Sequence, residues 1–175
     1  MSPLAMVLKI GCSPLLDPPK SDLAVGELTL TIGDTAFDAV DRLAIINLFR
    51  AYAYTYDENQ LDEFRGLFTE SPELALLHED RMVSGNIDTV MNFLAARKAA
   101  FKAENNQRRH ALNSFWFTCQ NATEATGRCY VQVFGIRDAG PPSPELTGCY
   151  EFTAVKHDGV WRFSRWVVAL DQASV

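Results

Sequence analysis

Beyond Asn106 the chain carries four long runs with the composition and alternation of β-strands, at residues 110–120, 128–136, 146–156 and 160–170. The breaks between them hold turn-forming residues: Asn121 and Gly127, then Gly140-Pro141-Pro142, then Asp158-Gly159. A meander of this kind builds one sheet, and a sheet needs cover. The preceding residues supply it. Ile45, Phe49, Tyr52 and Tyr56 recur at spacings of four, three and four, which predicts an aromatic-faced helix from about 38 to 56. Leu61, Phe64, Leu67 and Phe68 predict a short second helix with Asn59 as its N-cap. Val90, Phe93, Leu94 and Phe101 predict a third over 87–104, with Lys98, Lys102 and Glu104 on its polar side. Residues 73–83 read as a strand closed by Ser84-Gly85-Asn86. Helices first and strands afterwards indicate an α+β fold in which the helices cover one face of the sheet.

Residues 1–36 are a different material, with Pro3, Pro14, Pro18, Pro19, Gly26 and Gly33 around one short alternating run at 28–32. They read as an N-terminal extension, and residues 37–175 as a single domain. Sixteen Lys and Arg against twenty-two Asp and Glu give a net charge of −6, the wrong sign for a nucleic-acid surface. Cys12, Cys119, Cys129 and Cys149 show no C-x-x-C spacing and only three histidines accompany them, so they read as reduced thiols and not as zinc ligands. No apolar run approaches the roughly 20 residues of a membrane helix, and the sequon at Asn121-Ala122-Thr123 reads as a chance match. The expectation is a cytoplasmic protein without nucleic-acid or membrane partners.

The Asp158-Gly159 turn sets the register of the last hairpin, with His157 opposite Val160. One face then pairs Lys156 with Trp161, Ala154 with Phe163, Phe152 with Arg165, and Tyr150 with Val167. The other pairs Val155 with Arg162, Thr153 with Ser164, Glu151 with Trp166, and Cys149 with Val168. The first face is the more apolar and belongs under the helices. Trp166, Val168 and Val155 would then stand on the outer face, which predicts a homodimer through that face.

Several short motifs now align with a known family. Ala51-Tyr52-Ala53-Tyr54-Thr55-Tyr56-Asp57, Leu67-Phe68-Thr69, Gln107-Arg108-Arg109-His110-Ala111-Leu112-Asn113 and His157-Asp158-Gly159-Val160-Trp161-Arg162-Phe163 occur in that order among the expected elements. Over residues 38–170 the chain resembles the SnoaL-like branch of the nuclear transport factor 2-like superfamily. Within it, Tyr56-Asp57 and Arg109-His110 are most similar to scytalone dehydratases and small polyketide cyclases and isomerases. The resemblance implies a cone-shaped α+β barrel, a curved mixed sheet wrapped around a pocket that three N-terminal helices close.

Asp57 is the most informative single residue. A carboxylate at a helix C-terminus faces the negative pole of the macrodipole, at a cost of a few tenths to about 1 kcal/mol. It either caps the second helix, a role Asn59 fits better, or, as the resemblance implies, it orients a pocket histidine. His110 matches that histidine. If His110 points inward then Leu112, Ser114 and Trp116 follow, whereas the opposite parity brings in Asn113, Phe115 and Phe117. The dehydratases' second pocket histidine is replaced by Cys129, and on the following strand Tyr150 alone keeps a polar group where Gly148 does not. Tyr56 and Tyr150 are candidates to hold a substrate oxygen, and Tyr52 lies on the same helical stripe. His78, beside Glu79 and Asp80, is a candidate for the pocket mouth, since neighbouring strand residues point to opposite faces and hold no metal between them. Arg165 is either an ion-pair partner, with Asp57 as one option, or an anion contact.

The expected activity is that of a cofactor-independent lyase or isomerase. It would act by general acid/base chemistry on an aromatic or polyketide-like small molecule of secondary metabolism, with Asp57 and His110 catalytic and no metal or organic cofactor. The competing expectation is a non-catalytic binding or assembly module, including a role like that of a dioxygenase small subunit.

Overall fold

The computed structural model describes residues 37–78 and 81–171, the side chains of 77, 78 and 81–83 excepted. The N-terminal extension, its expected strand at 28–32 and Cys12 lie outside the described residues, as do Glu79, Asp80 and the side chain of His78. Helices α1 (Ala39–Asp57) and α2 (Leu61–Arg65) come first, then the hairpin β1 (Phe68–His78) and β2 (Arg81–Gly85), then α3 (Ile87–Ala103). The meander follows as β3 (Asn106–Gln120), β4 (Glu124–Arg137), β5 (Ser143–His157) and β6 (Val160–Leu170). The strands form one six-stranded sheet in the order β2-β1-β6-β5-β4-β3. All neighbours are antiparallel except β1 and β6, so the sheet is mixed. It is curved but not closed, with β2 and β3 at its two edges. Helices α1 and α3 pack against the sheet, and α2 packs against both of them.

Two expected elements differ. The run at 73–83 is two strands of a hairpin, with His78 opposite Arg81; the polar stretch His78-Glu79-Asp80-Arg81 carries neither Gly nor Pro to announce the break in the sequence. Asn59 is not the N-cap of α2. It adopts a left-handed backbone with φ 60° as α1 ends, and Gln60 stands at the cap without a side-chain bond to the helix. Leu67 and Phe68 accordingly lie beyond that short helix, whose one buried residue is Phe64.

The face of α1 is the stripe of Ile45, Phe49, Tyr52 and Tyr56, all buried. Phe49 is completely buried and is ringed by Phe115, Phe152, Phe163 and Trp166 at centroid distances of 4.8–5.3 Å. Edge-to-face and tilted pairs at this separation contribute about 0.5–1.5 kcal/mol each beyond the area they bury. At its start α1 is tied to the far end of β3. Asp38 caps the Asp41 N–H at 2.8 Å, Arg42 donates to Gln120, and Gln120 donates to the Asp38 carbonyl. Asp41 itself is buried and accepts from Lys156 Nζ at 2.7 Å and Trp161 Nε1 at 3.0 Å.

The Asp158-Gly159 turn has positive φ at both positions, as a two-residue hairpin of this hand requires, and the first four pairs follow the expected register. Ala154 still faces Phe163. The next pair is Thr153 with Arg165, so Ser164 is an extra residue, a β-bulge that shifts everything after it by one. Phe152 therefore faces Trp166 and Tyr150 faces Val168. Trp166 and Val168 belong to the core, at 1% and 6% exposure, and Arg165 moves to the outer face. The argument for an apolar dimer face falls with them.

A second bulge has the same effect in β3. Its register slips between Asn113 and Trp116, where Ser114 takes φ 52°. His110 and Leu112 point inward before it, and Phe115 and Phe117 after it, so each of the two expected parities holds for half of the strand. Gly127 faces the distorted stretch across the ladder. A Cβ there would sit 2.3 Å from the Trp116 carbonyl oxygen, so the close approach of β3 and β4 depends on glycine.

The buried Asp41 cluster gives a stability prediction. Asp41→Ala leaves the Trp161 N–H and the half-buried Lys156 ammonium unpaired and should cost about 2 kcal/mol in chemical denaturation at neutral pH. The bonds from Lys156 and Trp161 hold the Asp41 carboxyl below its ordinary value. A depressed carboxyl stabilises the fold above its unfolded pKa of about 4, and that contribution is lost as pH falls through the lower folded value. The difference between wild type and variant should therefore shrink below about pH 4. A difference constant down to pH 2 would refute this account.

Candidate active site

The last residue of α1 and the fifth of β3 are joined through one carboxylate. Asp57 Oδ1 accepts from His110 Nδ1 at 2.6 Å, and Oδ2 accepts from the His110 backbone N–H at 2.7 Å. Both side chains are more than nine-tenths buried. A carboxylate at this contact is an acceptor, so the proton of the neutral ring sits on Nδ1 and Nε2 carries the lone pair. The Asp57 carbonyl, one of the bare carbonyls at the helix end, takes Lys98 Nζ at 2.9 Å and Gln107 Nε2 at 3.2 Å. Burial outweighs the pull of Asp57 and Glu58 and holds the Lys98 ammonium below its ordinary value. Asp57 thus serves His110, and the capping alternative is set aside.

His110 forms part of the wall of a cavity between the sheet and α3. Tyr52 and Tyr56 from α1, Phe93, Leu94, Arg97 and Phe101 from α3, and Arg108, Leu146, Tyr150, Val168 and Leu170 from the strands complete it, with Leu76. The space left among them is about 60 Å³. The Tyr56 ring stands edge-on to the imidazole at 5.3 Å, and Tyr52 stacks on Trp166 at 4.5 Å. Burial, with Tyr150 beside it, pushes the Tyr52 hydroxyl well above the usual phenol range. Burial also raises Tyr150, and it raises Tyr56 against the opposing pull of Arg97 and Arg108. All three therefore stay protonated at neutral pH and present O–H donors.

Of the residues singled out in the sequence, His110, Tyr52, Tyr56 and Tyr150 line this cavity, and Asp57 bonds His110. Cys129 lies opposite Tyr150 and is fully buried, but it is not part of the cavity wall. Its burial pushes the thiol up, so it stays protonated in the core. Trp116 is 46% exposed on the outer face, where the Arg128 guanidinium lies 5.3 Å from its ring, because the Ser114 bulge turned it away. Arg165 also faces outward, 3.5 Å from Glu73 and 3.7 Å from Glu151, and touches neither Asp57 nor the cavity. His78 ends β1, with its side chain outside the described residues.

Two charged wall residues were not among the candidates: Arg97 and Arg108. Both had a signal in the sequence. Arg108 shares the parity of His110 two residues on, and Arg97 continues the helical stripe of Val90, Phe93 and Leu94 toward Phe101. Among the described residues no group of three or more His, Cys, Asp or Glu side chains is placed to hold a metal ion. No helix in the described residues is long and apolar enough to cross a membrane.

Residues 38–167 match the model of the SnoaL-like domain. The chain belongs to that family. No curated protein matches it. Among solved structures it is similar to a candidate scytalone dehydratase from Novosphingobium aromaticivorans, at 24% identity over 76% of this chain and 85% of that one, with a TM-score of 0.62. A nuclear transport factor 2-like protein with a cystatin-like fold from the same organism shares 22% identity over 78% and 85%, at 0.63. ActVI-ORFA from Streptomyces coelicolor shares 16% over 79% and 100%, at 0.67. At these identities the likeness is one of fold.

The ring geometry can be read directly. In 15N-labelled protein at a pH where the ring is neutral, Nδ1 of His110 should carry the proton and Nε2 should show the shift of a bare nitrogen. Asp57→Ala removes acceptors for both the ring and the β3 backbone and should cost about 2–4 kcal/mol, more than His110→Ala, in denaturant titrations. Equal costs, or a ring protonated on Nε2, would contradict the geometry.

Proposed function

We propose that this SnoaL-like domain is a cofactor-independent lyase or isomerase that moves protons beside a carbonyl of an aromatic or polyketide-like small molecule. The observation that carries the reading is the Asp57–His110 pair, an imidazole whose Nδ1 is held by a buried carboxylate and whose side chain forms part of the cavity wall. An inert core has little use for a buried carboxylate and imidazole facing three phenols.

In the proposed reaction Nε2 takes a proton from the carbon next to the substrate carbonyl. The electron pair of the broken C–H bond moves into the carbonyl, giving an enolate. Asp57 stabilises the imidazolium, and the hydroxyls of Tyr52, Tyr56 and Tyr150 are the donors available to the enolate oxygen. Return of the proton to another carbon is an isomerisation; loss of a β-hydroxyl as water, with that proton, is a dehydration. A positioned base supplies about 10²–10⁴-fold and each oxyanion donor about 10²–10³-fold, enough for an acidified C–H without a metal. The candidate scytalone dehydratase among the structural neighbours agrees with this chemistry. One observation favours the alternative of a non-catalytic module. A space of about 60 Å³ holds a few waters and no two-ring substrate unless the α3 side chains move.

The test is proton exchange into one-ring aromatic ketones such as acetophenone in D2O, followed by NMR, which needs no knowledge of the natural substrate. Wild type should catalyse α-exchange, and His110→Ala should lower it by about 10²–10⁴-fold. Asp57→Asn should cost a comparable factor, and the double variant should be scarcely worse than the worse single, because the two act as a unit. Undiminished exchange in His110→Ala would remove the acid/base reading and leave the binding module.

A further inference from the structure

A second and larger cavity, of about 940 Å³, lies where the end of α1, the second half of α3 and the start of β3 meet. That volume is in the range of ligand pockets, whereas the 60 Å³ beside His110 is not. Among the described residues one side chain belongs to both walls, Phe101. A ring common to two walls is the partition between them. The Arg108 guanidinium carbon lies 4.5 Å from the centre of that ring. Asn106, Arg108 and His110 alternate onto one face of β3, with no shift of register between them. Asn106 lines the larger cavity, His110 lines the smaller one, and the partition stands at Arg108, midway.

Asn106 is 5% exposed. Its amide nitrogen donates to Glu145 Oε1 at 2.9 Å, and because a carboxylate accepts, this bond fixes which way the amide is turned. Its oxygen is then a buried acceptor that has no hydrogen-bond partner among the described residues. A bare buried acceptor costs free energy, which a ligand O–H or N–H would recover. Charge on the wall is mixed, with Lys98 and Lys102 beside Glu58 and Asp138, so the cavity selects no ion. Ala95 and Ala99 add width without polarity.

We propose that the two cavities are two compartments of one binding site, with Phe101 as the gate between them. The substrate places an apolar, carbonyl-bearing head beside His110, and a neutral chain ending in a hydroxyl or amide N–H reaches the Asn106 Oδ1. The inference deepens the acid/base reading above and rests on it only for which end reacts. It also removes the difficulty of size, since with the Phe101 ring turned aside the small space is continuous with the large one. An aromatic head takes over the contact with the Arg108 guanidinium that the Phe101 ring gives up. The length of the substrate follows from the strand: four positions of β3 separate Asn106 from His110, about 13 Å.

The test is calorimetric titration of the full chain with acetophenone, with 4′-(4-hydroxybutoxy)acetophenone, whose chain spans about that distance, and with the methyl ether of that alcohol, which has no donor. The alcohol should bind at least about tenfold more tightly than either of the others. Asn106→Leu should erase the preference for the alcohol over its ether. Ala99→Phe, at an exposed helix position, should fill the groove and lower the advantage of both tailed ketones over acetophenone by about tenfold. Phe101→Ala should speed association of the alcohol by about tenfold in stopped-flow fluorescence. No gain from the tail, equal binding of alcohol and ether, a preference kept in Asn106→Leu or an advantage kept in Ala99→Phe would overturn the second compartment. An association rate unchanged in Phe101→Ala would overturn the gate. His110→Ala should keep the preference for the alcohol, and its loss there would place the hydroxyl at the imidazole and overturn the arrangement. Failure of the acid/base reading shows separately, as proton exchange undiminished in His110→Ala with the titrations as expected.

Discussion

One carboxylate connects the two halves of this fold. Asp57 ends α1 against the unfavourable pole of its own helix, and it is kept there by two donors from a single residue of β3, the His110 ring and the His110 backbone N–H. Every other feature of the site is arranged about that junction. Lys98 and Gln107 take up the carbonyl of the same residue, which brings α3 and the start of β3 to the helix end. The aromatic stripe of α1 is then laid along the sheet between two fixed points, Asp57 at one end and the Asp38–Gln120 contact at the other. Burial of Phe49 among four rings provides the energy; the polar ends provide the register.

Much of this was readable from the residues, and the errors in which way strand residues face share one cause. Helical spacing placed α1 and α3 within a residue or two, and the Asp158-Gly159 turn fixed four pairs of the last hairpin. The facings that went wrong lay beyond a bulge. Ser164 and Ser114 are ordinary residues in alternating strands, and nothing in their chemistry announces an extra position. Yet one inserted residue reverses the facing of every residue after it, because the side-chain period of a strand is two. Trp166 and Val168 so moved from the outer face to the core, while Arg165 and Trp116 moved outward. The correction also explains why an outer face that looked too apolar is in fact lined by Arg165 with Glu73 and Glu151.

The site was legible in its centre and not at its rim. Asp57, His110 and the three tyrosines followed from a helix end and a family resemblance. Arg97 and Arg108 did not, because an arginine on an amphipathic element is ordinarily a solvated residue whose stem alone is buried. Their inward placement depends on tertiary partners, Glu145 for Arg108 and the Phe101 ring for both, that no local pattern reveals.

The arrangement separates charge in a way that suits the proposed chemistry. The fixed anion, Asp57, lies behind the imidazole and away from the cavity wall, where it favours a proton arriving on the ring. The cations and the phenolic donors lie on the cavity side, where they favour negative charge developing on the substrate. A proton moving from substrate to His110 thus moves toward the negative group and leaves its electrons with the positive ones. Burial strengthens both halves of this field, since the same charges interact more strongly away from water. It also keeps the tyrosine hydroxyls protonated, so the donors persist at any pH near neutrality. Because the groups nearest the imidazole are held by partners within the protein, Asp57 by His110 and Arg108 by Glu145, that part of the field is in place before charge develops, and preorganisation of this kind is the largest contribution such a site can make to a transition state.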